Sequence, residues 1–437
     1  MCVLRRAGPD VTFDSEQNDQ LQDTKESRSL SISNVRLVDA SGVRDGAYRV
    51  SIYNGTIRDI TPMSVPVANR PTETEEIDAG GRTLMPAFID LHAHFRDPGF
   101  PDKETIESGS CAALAGGYTT VSVMANTRPV CDCVEVASDV VARAEAVGLV
   151  NVIPVGAITH GLAGKELADL DQLSAIVWAF SDDGYGVQSL EIAERAFEAA
   201  ARLKRPIFEH CETDGVDDPD RSEEMMAERD IQLAARFGTR LHIAHVRSPR
   251  TQALVERARE RGVAVSCEVT PHHLCLDQEL GYRVNPPLGG GAARAVLVRA
   301  VQTGQIDAIA TDHAPHTRED KANGAPGISG IETAFSLLYT ELVKPGALTL
   351  VDLSRAMSAG PARLLGLQDR RGFLRPGTDA DLVLIDERAS WRVTEASLQS
   401  RGKNTPLLGR TLRGRVWATI RGGNVMVHDR AGGGQGR

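Results

Sequence analysis

Residues 83–99 read TLMPAFIDLHAHFRDPG, and the layout of this stretch decides the fold. An apolar run of strand-forming composition ends in His92-Ala93-His94 and breaks at Asp97-Pro98-Gly99. In extended backbone, residues i and i+2 face the same way, so both imidazoles can reach one ion. Such a pair arises often by chance. Its place at the end of a strand gives it weight.

Working outward, the same kind of run recurs. It is seen at 83–92 and again at YTTVSVMA (118–125), NVIPVGAI (151–158), AIVWAFS (175–181), RPIFEHC (205–211), RLHIAHV (240–246), VAVSCEV (263–269) and IDAIATD (306–312). Between these eight runs lie stretches of helical periodicity with charged faces, such as 189–204 and 248–262. Eight buried strands alternating with helices predict an α/β chain built on a (β/α)8 TIM barrel over 85–371, with its chemistry at the strands' C-terminal ends. A doubly wound open sheet shares this periodicity, but no glycine-rich phosphate loop follows the first strand.

Both chain ends read differently. SISNVRLVDASG and GAYRVSIYNGTIRDI are short strands, with Asn54-Gly55 as a hairpin signal. LRPGTDADLVLIDE and RVWATIRGGNVMV repeat that grammar near the carboxyl end. Residues 30–84 and 372–430 therefore predict one small β-sandwich domain made from both ends, after a disordered tail over 1–29.

Composition narrows the function. A net charge of −10 disfavours a nucleic-acid or anionic-membrane surface. No apolar run reaches the length of a membrane span, and the amino terminus lacks a secretory layout, so a cytoplasmic location is expected. Seven scattered cysteines fit reduced thiols better than a disulfide framework. Cys131-x-Cys133 has no second thiol pair nearby and reads as two unremarkable loop thiols.

Further ligand candidates occupy strand ends equivalent to that of His92 and His94. Asp183 follows the fourth run, His210 and His245 end the fifth and sixth, and Asp312 ends the eighth. Taken singly, each has a bland explanation, such as a helix cap for an aspartate. Six such residues on five strand ends do not. Nitrogen and oxygen donors of this kind suit zinc, with manganese or cobalt as substitutes. The set exceeds what one hydrolytic ion needs and fits two zinc ions about 3.5–4 Å apart, with Asp312 also carrying a proton.

HAHFRDPG (92–99), MANTRP (124–129), FSDDG (180–184), EHCE (209–212), IAHV (243–246), TPHHL (270–274), NPPL (285–288) and TDHAPH (311–316) resemble the successive motifs of the dihydroorotases, in order. Within the amidohydrolase superfamily these are closest in pattern to the longer, class I bacterial type. The resemblance implies reversible cyclisation of N-carbamoyl-L-aspartate to (S)-dihydroorotate through a metal-bridged hydroxide, a step of de novo pyrimidine (UMP) synthesis. It implies that His92 and His94 hold one ion and His210 and His245 the other, with Asp312 both ligand and acid/base. Many relatives bridge the ions with a carboxylated lysine. Here Asp182-Asp183 stands instead, and spacing favours Asp183 as the bridge, with Asp182 the runner-up.

On the substrate side, the resemblance assigns Arg96, Asn126 and His316 to the substrate carboxylate, with His94 beside them. Asn285 and the Pro326-Gly327 backbone match positions that contact the ring. His313 either orients Asp312 or is structural, while His272 and His273 read as packing, and His160, His242 and His428 carry no assignment. Ala125 and Glu209 depart from the usual motif residues without removing a ligand. The polar stretch 317–325 is a candidate lid. A homo-oligomer is expected, and the family adds an aspartate transcarbamoylase partner as an option. The competing readings are a hydantoin or allantoin amidase and a non-catalytic scaffold.

Overall fold

The computed structural model describes residues 29–66 and 74–428. The expected tail lies outside them, except that Ser29 already opens a strand. The terminal strands are β1 (Ser29–Asp39), β2 (Gly42–Tyr53), β3 (Thr56–Pro62), β4 (Thr74–Asp78), β5 (Thr83–Pro86), β13 (Leu382–Arg392), β14 (Thr411–Arg421) and β15 (Asn424–His428). They join in one sheet, ordered β15-β14-β13-β5-β1-β2-β3 with β4 on β1, so both chain ends share it. Asn54 and Gly55, both at positive φ (45° and 77°), turn β2 into β3 as the Asn-Gly pair predicts. Leu30, Ile32, Val50, Ile57, Leu84, Leu382, Leu384 and Ile420 form a core of its own within this sheet.

The intervening strands are parallel and short: β6 (Phe88–Ala93), β7 (Tyr118–Val123), β8 (Asn151–Pro154), β9 (Ile207–Glu209), β10 (Leu241–Ile243), β11 (Val265–Val269) and β12 (Ala308–Ile309). They pair as β6-β7-β8 and as β9-β10-β11-β12. The predicted first run divides at Ala87, its front half serving the terminal sheet as β5 and its back half forming β6. The predicted fourth run forms no strand. Only Phe180 survives from it, as a residue bridging Gly156 on one side and Ile207 on the other, because residues 170–173 are helical and 174–177 turn back onto them. At the other margin Ala93 bridges His313 in parallel.

Two apolar layers flank these strands. Ile89, Leu91, Met124, Val155, Trp178, Phe208, Ala244, Ala308 and Ala310 pack together on one side. The larger layer on the other side takes the helices, for instance Phe88, Tyr118, Ile207 and Ile243 against Ala112, Val140, Phe197 and Val255. Helices Leu190–Leu203 and Pro249–Glu260 begin where the periodicity places them, capped by the side chains of Ser189 and Ser248. Runs that are apolar throughout, rather than alternating, follow from burial on both faces.

Candidate active site

The C-terminal ends of the parallel strands converge on four imidazoles and two carboxylates. His92 lies on β6 and His94 just beyond it; His210 follows β9, His245 lies past β10 and Asp312 past β12, while Asp183 follows the Phe180 bridge. All six are buried. Asp183 Oδ1 sits 3.3 Å from His92 Nε2, 3.7 Å from His210 Nδ1 and 3.8 Å from His245 Nε2. Its Oδ2 sits 3.5 Å from His94 Nε2. Asp312 Oδ1 lies 3.1 Å from His94 Nε2 and 3.7 Å from His92 Nε2.

These donors fit metal ions. His92 Nε2 and Asp183 Oδ1 are buried without a hydrogen-bond partner, a costly state for groups that could accept a cation instead. His210 Nδ1 and His245 Nε2 stand 2.9 Å apart, both turned toward the same carboxylate. Two triads, His92-His94-Asp312 and His92-Asp183-His245, have ligand atoms within 4.8 Å of one another. Imidazole and carboxylate donors in compact groups of this size suit zinc and its neighbours.

The electrostatics agree. Burial alone would raise Asp183, yet the His92 charge and the His210 and His245 imidazoles around it hold it well below the carboxylate range. Asp312 is likewise held low against burial by His94 and His92. Burial resists protonation of His92, and the Asp183 and Glu268 carboxylates nonetheless lift it well above the ordinary histidine value. Against burial, the Asp183 and Glu212 carboxylates likewise lift His210 to about 9, whereas burial and the neighbouring His210 and His92 push His245 down.

Three of the four imidazoles have an outer partner. His92 Nδ1 meets Glu268 Oε1 at 2.9 Å, and Glu268 Oε2 meets His242 Nε2 at 3.2 Å. A proton on His92 Nδ1 leaves its Nε2 free as a ligand. Burial would raise Glu268, but the hydrogen bonds from His242 and His92 bring it down to about 2. His94 Nδ1 meets Asn126 Oδ1 at 2.9 Å, which fixes that ring the same way. His210 Nε2 meets Glu212 Oε2 at 2.9 Å, and Asn285 Nδ2 donates to the same oxygen at 2.8 Å. Asp90 accepts from the backbone of His92 and Thr311 and from the Thr311 hydroxyl, tying β6 to the Asp312 strand end. The signal for Glu268 and Asp90 was a lone carboxylate inside an otherwise apolar run.

The two neighbouring aspartates separate cleanly. Asp182 spends its oxygens on the Ile158 and Thr159 backbone N–H groups, at 2.8 and 3.0 Å, and on the Thr159 hydroxyl. Asp183 faces the histidines.

Beside the cluster, Arg96 Nη2 lies 3.5 Å from His316 Nε2. Arg96 Nε and His316 Nδ1 are buried and unpartnered. Arg96, His245 and Asp312 adopt positive φ (59°, 29° and 45°), a strained state for residues with side chains that gathers at functional sites. His313 is held by Glu104 at its Nε2 (3.3 Å) and accepts from Gly330 N at its Nδ1. His273 bonds Thr270 and the Pro286 carbonyl, whereas His272 Nε2 is buried without a partner. The 317–325 stretch holds a capped turn, Arg318–Ala322, whose Lys321 Nζ donates to the carbonyls of Arg283, Ala325 and Gly327. The six described cysteines are free thiols, and Cys2 lies outside the described residues. Among the described residues no helix is long and apolar enough to cross a membrane.

A parallel α/β strand array carrying histidines and aspartates at its C-terminal ends has the build of a metal-dependent hydrolase. The structure is similar to that of an L-hydantoinase (dihydropyrimidinase) from Arthrobacter aurescens, with a TM-score of 0.82 at 25% identity over 91% of this chain and 96% of that one. Residues 81–249 match a family model described as dihydro-orotase-like. The chain is 43% identical over 385 residues to a dihydroorotase of Pelotomaculum thermopropionicum, covering 82% of this chain and 90% of the relative. It is 39% identical over 401 residues to that of Clostridium botulinum, covering 91% and 98%. The chain belongs to the dihydroorotase family.

Proposed function

We propose that the chain interconverts N-carbamoyl-L-aspartate and (S)-dihydroorotate in de novo pyrimidine synthesis, as a class I bacterial dihydroorotase using two zinc ions. The observation that carries this reading is Asp183 set among four imidazole nitrogens, with the Arg96-His316 pair alongside. His92, His94, Asp183 and Asp312 would hold one ion, and Asp183, His210 and His245 the other. An aspartate in place of a carboxylated lysine supports the class I assignment. When bound, such ions acidify water and polarise an amide carbonyl.

The chain's own residues do the rest. Arg96 presents a half-buried guanidinium whose fork matches the substrate carboxylate, with His316 and Asn126 at its flank. Asn285 and the Pro326-Gly327 backbone face the ring. Asp312, kept ionised by His94 and His92, takes the proton of the attacking water and passes it to the departing ring nitrogen; in cyclisation the proton runs back.

The same reading extends to the fold. The Gly156-Phe180-Ile207 and Ala93-His313 bridges and the shared Ile89-Phe208-Ala310 layer support a closed (β/α)8 barrel over 85–371. The sheet of both chain ends, bent by register shifts in β1 and β13 around its own core, supports a small sandwich over 30–84 and 372–430.

A hydantoinase reading draws on the structural similarity. It differs in needing no site for a carboxylate. Metal content measured on the same sample as hydrolysis of dihydroorotate, hydantoin and dihydrouracil decides between them. Two ions per chain with dihydroorotate strongly preferred is the expected result; preference for the uncharged rings overturns the assignment.

A further inference from the structure

Between β13 and β14 the chain leaves the terminal sheet and returns to it, and residues 398–407 of this linker pack against the site. Asn404 is the centre of the contact. Its Nδ2 donates to the carbonyls of Ala314 (2.9 Å) and Gly327 (3.0 Å). Its Oδ1 accepts from the backbone N–H of His316 (2.8 Å) and from the Ser329 hydroxyl (2.7 Å). Its own carbonyl accepts from Ser329 N at 2.9 Å. A buried amide that fills its hydrogen-bond positions across two separate segments, three of the four bonds being to their backbone, is a rigid spacer.

The rest of the linker enforces the same placement. A Cβ on Gly402 would stand 2.6 Å from Pro315 Cβ and 2.9 Å from His316 N, so the backbone approach is as close as the chain allows. Ser400 and the Arg401 backbone bond the buried Glu104, which also holds His313. On its far side the Gly327 carbonyl receives Lys321 Nζ at 3.1 Å. Gly327 itself has φ 127°, and a Cβ there would meet Ala314 Cβ at 2.7 Å. The segments 314–316 and 327–329 meet directly at one backbone bond, Ala314 N to the Ile328 carbonyl at 2.9 Å, and on either side of it one side chain from the far end of the sequence braces them.

We propose that Asn404 is a positioning residue for substrate binding: through His316 N and the Gly327 carbonyl it sets the separation of the carboxylate pocket from the backbone that faces the ring. This rests on the assignment of His316 and Gly327 to the substrate. Asn404 touches no reacting atom, so its removal costs binding more than turnover.

The test compares Asn404→Leu with His316→Ala, both loaded with metal. KM for dihydroorotate and calorimetric Kd for orotate, a non-hydrolysable ring carboxylate, are measured with kcat, metal content and Tm. Asn404→Leu is expected to raise KM and Kd by about tenfold or more, with kcat within about threefold and metal content unchanged. If both stay within about twofold of the parent while His316→Ala weakens orotate, the positioning role falls, whatever happens to Tm. If His316→Ala leaves orotate affinity intact, the carboxylate pocket is misplaced and the proposal falls with it. Should Asn404→Leu prove insoluble, Asn404→Asp carries the same test. It keeps both acceptor bonds but sets a carboxylate oxygen against the Ala314 and Gly327 carbonyls, and the same rise in KM is expected.

Discussion

Replacing Glu268 by glutamine probes the proposed metal centre without touching a proposed ligand. Glu268 is fully buried and accepts from His92 Nδ1 at 2.9 Å and His242 Nε2 at 3.2 Å. Glutamine has the same shape but one acceptor oxygen. If that oxygen faces His92, the new NH2 faces His242, which can switch tautomer because its Nδ1 meets the Ser266 hydroxyl at 2.8 Å. The network then remains satisfied and the fold survives. What disappears is the negative charge behind His92, converting a charge-assisted bond to a neutral one and costing about 1–2 kcal/mol of ligand basicity. Loss of an outer-sphere partner weakens metal affinity about 10- to 100-fold, in line with that figure. Competition against a chromophoric chelator measures the affinity, and kcat is measured again at saturating metal. Glu268→Gln should bind metal at least about tenfold more weakly and recover most of its kcat when metal is in excess. Affinity within about twofold of the parent would refute the reasoning, since it would mean that Glu268 does not set the His92 ring.

Other predictions follow from the same geometry. Asp312→Asn should lower kcat by about 100-fold or more while retaining metal, as a lost proton carrier requires; near-normal turnover sinks that role. Arg96→Lys should raise KM for dihydroorotate by about tenfold or more, because a point charge cannot replace a bidentate fork; unchanged KM removes Arg96 from the carboxylate pocket. Glu223 is buried, and burial raises it from 4.5 to about 7 despite the N–H groups of Arg247 and Ser248. The folded state therefore holds this proton more tightly than the unfolded chain. The stability it contributes is present below about pH 4.5 and is lost as pH rises to about 7, a change of about 3 kcal/mol. In Glu223→Gln the fall of Tm across that window should be shallower than in the parent. Parallel Tm profiles would show that Glu223 does not titrate there.

How legible these features were depends on range. His92-x-His94 could be read because strand geometry puts i and i+2 on one face, and the Asn54-Gly55 turn because few residue pairs accept two positive φ values. The fourth strand was misread. AIVWAFS is apolar enough for a strand, yet Val177, Trp178 and Phe180 are buried by packing around a turn that local pattern does not encode. Asn404 could not be found from sequence either. Its partners Ala314, His316 and Gly327 lie more than 70 residues away, and a lone Asn before Thr-Pro reads as a loop residue. Glu268 was within reach: a carboxylate inside VAVSCEV has to be satisfied by something.

The division between ligand and outer partner explains why the site is built from so many strand ends. His92 is fixed by Glu268 on β11, His94 by Asn126 past β7, and the Thr311-Asp312 corner by Asp90 on β6. These two rings and the Thr311-Asp312 corner are thus each oriented by an element other than their own. A strand can shift only by breaking a hydrogen bond to a neighbour. Around this braced array Arg96, His245 and Asp312 keep positive φ against their own preference. It also makes Asp182 and Asp183 non-equivalent. Asp182 braces the 158–159 turn with both its oxygens, so a cation that recruited it would compete with three hydrogen bonds. Asp183 has an oxygen with no hydrogen-bond partner, and a cation there completes the structure rather than competing with it.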